Sequence, residues 1–420
     1  MIRNSRSGSS SVFLCVILSA LVSVCFAFIY STLQYTAASR ADAMMHLTAN
    51  SLLSEFDKDV LEEYGLFLLP GNDRDLSRKL NSYLTYTFGP EPQISVTDPR
   101  VSSGGFSTAD LSAIREQILA YAGYGGAGSA AAADPSDDQP VLQETDAGRA
   151  LRHGPTIASL PSRQLPTQDF LSRIEELAGQ LTDVTDIFRD GSEQYMLSGY
   201  VLNAFNCTVS APAPQHFFQR EVEYILNGEL TDQKNLQKTA SALRCLRLPL
   251  NFAHLYADEG KRNALAAAAE AITPGPAASL TQAALATAWA YAESVNDAEL
   301  LVKGFRVPLL KDDSSWAVDL ENIIEEYTGN PAGPEQASGR VIHPKEDKGL
   351  SYGQYLRILL SLEDRDILTA RILDLIQINM RKNVNGSFLI SEYCSGISLE
   401  AVFNGRRYAY ETLYQRLLYH

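Results

Sequence analysis

The chain has 420 residues, of which 45% are hydrophobic and 20% charged, and its formal net charge is -15. An acidic balance excludes the basic surface that nucleic-acid phosphates require, and it disfavours a peripheral grip on anionic lipid. Five cysteines with no CxxC or close Cys/His spacing exclude a disulfide framework. Cys15 and Cys25 fall in an apolar run, and Cys207, Cys245 and Cys394 allow one optional pair.

The elements begin with that run. Ser11 to Tyr30, SVFLCVILSALVSVCFAFIY, carries no charge. Twenty residues at 1.5 Å rise cover about 30 Å, the thickness of a bilayer's hydrocarbon core. Arg3 and Arg6 flank it on the N-terminal side without an acid. The positive-inside rule therefore predicts a cytoplasmic tail over residues 1–10, a transmembrane helix over 11–30 and the bulk of the chain outside the cell. A cleaved signal would need a shorter apolar core and a small-x-small end, which Cys25-Phe26-Ala27 matches poorly. A tail of this length is too short for a cytoplasmic signalling domain.

Helical periodicity continues past the membrane. Leu52, Leu53, Phe56, Val60, Leu61 and Tyr64 recur at near-helical spacing, which predicts one stalk helix from Thr32 to Leu69, ending near Pro70-Gly71. Glu55, Asp57, Lys58, Asp59, Glu62 and Glu63 would be its wet face. Such a helix packs either into the outer domain or against copies of itself. Further helices are predicted over Asp75–Tyr86 and over Thr108–Tyr121 with Thr108 as N-cap, with an extended piece at Gln93–Thr97 between them. Together 31–122 make a membrane-proximal helical region. Gly123 to Pro166 is rich in Gly, Ala, Ser, Asp and Pro, a composition that reads as a disordered linker.

The region 167–420 is read as a distal α+β domain. Helices are expected at Thr167–Asp190, Phe217–Leu226, Asp232–Tyr256, Gly260–Ile272 and Ser279–Val302, with Pro249 kinking or breaking the third. Tyr195–Ser210 reads as a strand from its β-branched and aromatic content, and Gly329–Gly349 as a loop. Helices follow at Ser351–Leu362 and Asp364–Lys382. Strands are expected at Ser387–Cys394, Ile397–Phe403 and, after an Asn404-Gly405 turn, Arg406–Leu413. The fold class is α+β, mostly helical, with a small antiparallel sheet.

Several segments in order carry a resemblance: GSSSVFL (Gly8–Leu14), FDKDVLEEYGLFLL (Phe56–Leu69), FQREVEYILNG (Phe218–Gly228), LRLPLNFAHLY (Leu246–Tyr256), TAWAYAESVND (Thr287–Asp297), FRVPLLKDDSSW (Phe305–Trp316), LSYGQYLRILL (Leu350–Leu360) and RILDLIQINMR (Arg371–Arg381). Together they resemble the DUF5702 family, uncharacterised membrane-anchored proteins of Gram-positive anaerobes. The resemblance implies company in tight-adherence (Tad/Flp) pilus systems, beside whose components such proteins are commonly encoded, and an N-terminus similar to TadE/TadG-type minor pilins. Those leaders have a Gly after basic residues and a Glu at the fifth position of the apolar helix. Gly8 follows Arg3 and Arg6, but Phe13 stands where the Glu would be. The departure speaks against a filament subunit and is compatible with an accessory role.

No catalytic, cofactor-binding or metal-binding residue emerges, and no cofactor is implied. The six histidines show no HExxH or HxH spacing. His254 reads as a satisfied helix histidine. GYGGAG at Gly123–Gly128 lacks the Lys of a phosphate loop, and the serine-hydrolase elbow is absent. Asp134, Asp137 and Asp138 lack a calcium-loop pattern. Glu221 and Glu223, with Arg220, form the best charged cluster, but residues two apart on a helix do not share a face, so salt bridges to other helices are expected. Glu363, Asp364, Arg365 and Asp366 suit a helix N-terminus. Trp289, Tyr291, Tyr352 and Tyr355 suit core packing. The expectation is a membrane-embedded structural or assembly protein with protein partners in a Tad-like pilus or related envelope assembly, able to self-associate through the stalk, and no nucleic-acid partner. The alternatives are an extracellular hydrolase of cell-wall polymer or peptide, and an extracytoplasmic ligand-binding module.

Overall fold

The computed structural model describes residues 7–89, 95–123, 149–166, 170–174, 192–210, 214–329, 342–343 and 348–414. The helices in chain order are α1 (Ser7–Leu53), α2 (Lys58–Tyr64), α3 (Asp73–Phe88), α4 (Leu111–Tyr121), α5 (Gly154–Ala158), α6 (Ser192–Ala204) and α7 (Glu221–Asn227). They continue as α8 (Asp232–Ala257), α9 (Glu259–Ile272), α10 (Ala278–Val302), α11 (Leu320–Gly329), α12 (Tyr352–Leu362) and α13 (Arg365–Asn383). The strands are β1 (Leu69–Pro70), β2 (Val96–Ser102), β3 (Tyr393–Cys394), β4 (Gly396–Phe403) and β5 (Arg406–Leu413). The result is a mostly helical α+β protein with a long apolar N-terminal helix and a small antiparallel sheet near its C-terminus.

Two units share the chain, and they cut it elsewhere than the composition does. Unit 1 is Met1–Asp57, Phe67–Asp110 and Glu392–His420; unit 2 is Lys58–Leu66 and Leu111–Ser391. The region 31–122 is thus divided between them, and the last strands join the membrane-proximal segments, because a sheet can be closed by segments far apart in sequence. Residues 124–148 of the expected linker lie outside the described residues. The remainder, 149–166, is ordered: Leu160 is buried, α5 follows a His153 cap, and a 3₁₀ turn spans Pro161–Gln164.

In unit 1, α1 is the one described helix long and apolar enough to cross a membrane, and none of its apolar window is buried. Its last turns change role. Ala41, Met45, Ala49, Leu52 and Leu53 recur every three or four residues and are fully buried. They share a core with Leu76, Leu80 and Leu84 of α3 and with Ile397, Leu399 and Phe403 of β4. The stalk is not one helix to Leu69. It stops at Leu53, where the Tyr414 hydroxyl donates to the Leu53 carbonyl (2.7 Å), and Phe56 leaves the helical path to pack edge-on against Phe67. The sheet order is β2-β4-β5, all antiparallel. Positive φ at both Asn404 and Gly405 makes the β4–β5 turn the primed type that matches strand twist. The extended piece begins at Val96, and the Ser387–Cys394 strand shrinks to β3 after a 3₁₀ turn at Ile390–Glu392.

In unit 2, α8, α9, α10 and α11 enclose Leu255, Leu265, Leu285, Trp289, Val318 and Ile323. Pro249 lies inside α8 without ending it. An interior proline costs roughly 3 kcal/mol, and here polar clamps on both sides of it offset that loss. Arg247 and Asn251 both bond Asp297 of α10 (3.0 Å each). The Tyr195–Ser210 strand is instead helix α6, because Gln194, Leu197, Ser198 and Val201 form one buried helical face that outweighs β propensity. α4 begins at Leu111, so Thr108 is not its cap. α7 starts at Glu221, four residues later than expected. Helix α11 is absent from the sequence reading. Of the expected Thr167–Asp190 helix, residues 170–174 are helical and 175–190 lie outside the described residues. Every residue of α13 from Leu368 to Met380 is buried, so its polar members must find partners inside the protein.

Candidate functional site: an arginine-lined cleft

The corner between α12 and α13 shapes the site. Ser351 starts α12 with a reciprocal capping box to Gln354. Asp364 starts α13 by accepting from the backbone N–H groups of Asp366 and Ile367. Only Glu363 and Asp364 separate the helices, so α12's last carbonyls face side chains instead of continuing a ladder. The buried amide of Gln194 on α6 donates to the Leu360 and Glu363 carbonyls (3.0 and 3.1 Å). Arg173 donates to the Leu362 carbonyl (3.3 Å) and to the Glu363 carboxylate. Burial pushes the Glu363 carboxyl up, while its own backbone neighbour and Arg371 and Arg173 oppose that.

Beside this corner a cleft of about 770 Å³ opens between α6 and α12. That is within the range of small-ligand sites. Leu350, Ile358 and Leu362 supply apolar wall, and four arginines from four segments converge on it: Arg115 of α4, Arg173, Arg357 of α12 and Arg365 of α13. Arg115 pairs with Asp366 (2.6 Å), and Arg365 with Glu193 and Gln194 (2.9 Å each). Arg357 lies 4.7 Å over the Tyr195 ring and donates to its hydroxyl (2.9 Å). Tyr195 is half exposed, so this cation–π platform faces the opening. Guanidinium groups fixed in place suit planar carboxylate or phosphate recognition.

The model of a family of unknown function, DUF5702, matches residues 152–405. The chain belongs to DUF5702. No curated protein and no solved structure matches it. Apart from Arg115, all the cleft residues fall inside the DUF5702 match.

Among the residues the sequence singles out, the group from Glu363 to Asp366 does form a helix start, and it also lines the cleft. Glu221 and Glu223 do not. Both are fully buried, and among the described residues their hydrogen bonds go to His216, an amide, hydroxyls and backbone N–H groups instead of the salt-bridge partners expected. Glu221 holds His216 and accepts from Asn379 (2.7 Å); Glu223 accepts from the Thr208 backbone (2.9 Å), the Thr208 hydroxyl (2.6 Å) and the Tyr352 hydroxyl (2.8 Å). Burial raises both carboxyls and outweighs the hydrogen bonds that favour their ionised forms. Asp374 of α13 is similar. It accepts from the Ser162 N–H and the Tyr224 hydroxyl (3.0 Å each), and burial pushes its carboxyl up to about 6.

His254 is not the satisfied histidine expected, since its buried Nε2 has no partner among the described residues. Its ring stacks on Trp316 at 5.3 Å, and one ligand atom each from His254, Asp258 and Asp313 lies within 4.8 Å of the others. Lys261 pairs with both carboxylates, so an ammonium already holds the position a cation would take. Trp289, Tyr352 and Tyr355 are core residues as expected. Cys207, Cys245 and Cys394 are free thiols. Asp134, Asp137 and Asp138 lie outside the described residues. The cleft itself is illegible in the sequence, because its arginines come from segments up to about 250 positions apart, as the Arg115–Asp366 separation of 251 shows.

Proposed function

We propose that this chain is a membrane-anchored extracytoplasmic assembly protein, an accessory component of a Tad-like pilus or a related envelope assembly. The observation that carries the reading is the continuity of α1. Its uncovered apolar turns and its buried residues Ala41–Leu53 belong to one 47-residue helix without a linker. Such a helix transmits the position of the membrane directly to the core of unit 1, as a structural component needs and a tethered enzyme does not. The resemblance of the N-terminus to pilin-type leaders supports the kind of company. Phe13 in place of the leader's Glu supports an accessory role.

Affinity capture of the detergent-extracted full chain, scored by mass spectrometry, tests this. Pilus-assembly components should be enriched over a control membrane protein, and their absence from cross-linked samples would overturn the reading. Protease treatment of intact cells should remove the chain beyond the anchor; protection would reverse the orientation. The mature N-terminus should be Met1 or Ile2, and a start at Ser9 would move the role to filament subunit.

A second reading, an extracytoplasmic ligand-binding module, is favoured by the cleft with its four arginines. The hydrolase reading asks for a desolvated acid pair facing solvent. Among the raised carboxyls Glu363 lines the cleft, but it is held by Arg173 and the Asp364 N–H, whereas Glu221, Glu223 and Asp374 line no part of it.

A further inference from the structure

Unit 1 begins close to the end of the apolar run. Every residue of α1 from Ser11 to Thr36 is exposed, Ala37 and Ala38 are half buried, and Ala41 is fully buried. Ala37 stands seven residues past Tyr30, about 10 Å at 1.5 Å per residue. The headgroup layer of a bilayer extends about 5–7 Å beyond its hydrocarbon core. The folded body thus starts a few ångströms above the headgroups, within reach of a long side chain.

Two contacts fix which end of unit 1 faces the membrane. Tyr410 of β5 packs on His46 of α1 with ring centroids 4.0 Å apart, and Tyr414, just past β5, bonds the Leu53 carbonyl (2.7 Å). β5 therefore runs along α1 in the same sense, away from the membrane, and its first residue, Arg406, lies at the membrane end. Arg406 faces Phe403 across the Asn404-Gly405 turn, and Phe403 packs edge-on against Phe88, the last residue of α3, at 5.5 Å. The β4–β5 tip and the last turn of α3 thus form one underside.

Most of the cations there are already paired. Arg407 pairs with Glu400, and Arg100 with Asp98 (2.9 Å). Arg406 differs: it lies 5.7 Å over the Tyr408 ring and meets no carboxylate among the described residues. Side chains alternate along a strand, so Arg406 shares the face of β5 on which Tyr408 and Tyr410 pack toward α1. One guanidinium without a counter-ion is held beside the helix where α1 leaves the bilayer. The same end exposes Tyr30 and Tyr35 of α1 and Tyr86 of α3, the last by 89%. Tyrosines and arginines at this level anchor a membrane protein in the interface and set the tilt of its helix.

A soluble anion would gain one guanidinium here and nothing else. The bilayer surface offers phosphates at the distance that α1 itself sets, and an interfacial layer that suits tyrosine. We propose that the β4–β5 tip rests on the lipid headgroups of the bilayer that α1 crosses, Arg406 on phosphate and Tyr86 in the interfacial layer, and so fixes the direction in which α1 tilts. The net charge of -15 opposes such contact over the surface at large, which confines it to this tip. The proposal rests on the reading of α1 as a membrane span and holds for either orientation of the chain.

Tryptophan quenching tests it, with the full chain in vesicles of phosphatidylcholine and phosphatidylglycerol, part of the phosphatidylcholine carrying a nitroxide on its headgroup. Trp289 and Trp316 belong to the core of unit 2, and the wild-type signal serves as the background. One reporter is Tyr86→Trp, on the underside. The other is Gly105→Trp, beyond the opposite end of the sheet, where an added side chain meets open space. The first should be strongly quenched and the second scarcely. Arg406→Gln, added to Tyr86→Trp, should lower the ratio of docked to undocked tip roughly fivefold, the worth of one basic side chain at an anionic surface. Arg406→Lys should retain the quenching. Salt should weaken it where Arg406 is present and have little effect with Arg406→Gln. Equal quenching of the two reporters, or quenching indifferent to Arg406→Gln, overturns the inference while a chain that floats with the vesicles keeps its anchor. A chain left behind when the vesicles float overturns both.

Discussion

Unit 2 buries ionisable groups in two ways. Between α8 and α10, Arg247 and Lys311 face Glu293 and Asp297, two cations against two anions, and the four side chains are almost wholly inaccessible. Around α7 and α13, Glu221, Glu223 and Asp374 are instead held chiefly by a histidine, an amide, hydroxyls and backbone N–H groups. In the first cluster burial alone would raise Asp297, but Arg247 and Lys311 more than offset it and hold the carboxyl below its usual range. In the second, burial wins and the carboxyls rise. Glu293 of the first cluster rises too, because burial and the neighbouring Asp297 outweigh Lys311. A buried opposite charge thus lowers a carboxyl only where it outweighs desolvation, as two cations together do at Asp297. Ionised groups cost the most to strip of a partner, and neutral ones tolerate isosteric exchange.

The sharpest test of that contrast is Arg247→Met. Arg247 bonds Asp297 (3.0 Å), the Leu309 carbonyl (2.7 Å) and Asn251 (2.8 Å), so its loss leaves an anion and two acceptors short of donors. Breaking a buried pair on one side costs about 3–5 kcal/mol. Chemical denaturation of the detergent-solubilised chain at neutral pH should show a loss of that size. A loss below about 1 kcal/mol would mean that the first cluster is no more ionic than the second.

Asp374 and Asp297 should also respond oppositely to pH. Asp374 binds its proton more tightly folded than unfolded, with a pKa of about 6 against an ordinary 3.8. Its contribution is complete below about pH 4 and is lost as pH rises through about 6, an amplitude of about 3 kcal/mol at 1.36 kcal/mol per pKa unit. Asp297 has the opposite sign, since its lowered carboxyl contributes above the ordinary carboxylate range and that contribution is lost on acidification. Asp374→Asn should therefore flatten the decline in stability between about pH 4 and 6 while leaving the acid limb intact. A wild-type stability that climbs steadily through that window, unchanged by the substitution, would break the assignment.

How much of this the sequence discloses depends on how local the cause is. The apolar run of α1, the Asn404-Gly405 turn and the Asp364 cap are short-range patterns, and the structure contains all three. Tyr195–Ser210 misleads because its aromatic and β-branched content suits a strand, whereas the four-residue repeat of its buried side is set by neighbours distant in the chain. The end of α1 at Leu53 depends on Tyr414, 361 positions away. Glu221 and Glu223 read as salt-bridge partners of other helices because nothing nearby in sequence announces Asn379 or Tyr352. The cleft fails to show for the same reason, as Arg115 and Asp366 meet only in the fold.

The smallest effect is expected at Glu223. Its Oε1 accepts all three of its hydrogen bonds, from the Thr208 N–H, the Thr208 hydroxyl and the Tyr352 hydroxyl, and its Oε2 has no hydrogen-bond partner among the described residues. That is the pattern of a protonated acid whose carbonyl oxygen does the accepting. Glutamine keeps that oxygen and puts an amide where the acid proton sits. Glu223→Gln should then change stability at pH 5 by about 1 kcal/mol or less. It should relatively favour the variant as pH rises, because the wild-type residue alone must hold a proton that water increasingly takes. A variant several kcal/mol less stable than wild type at both pH 5 and pH 7, with no relative gain as pH rises, would show Glu223 to be a buried anion and would erase its contrast with Asp297.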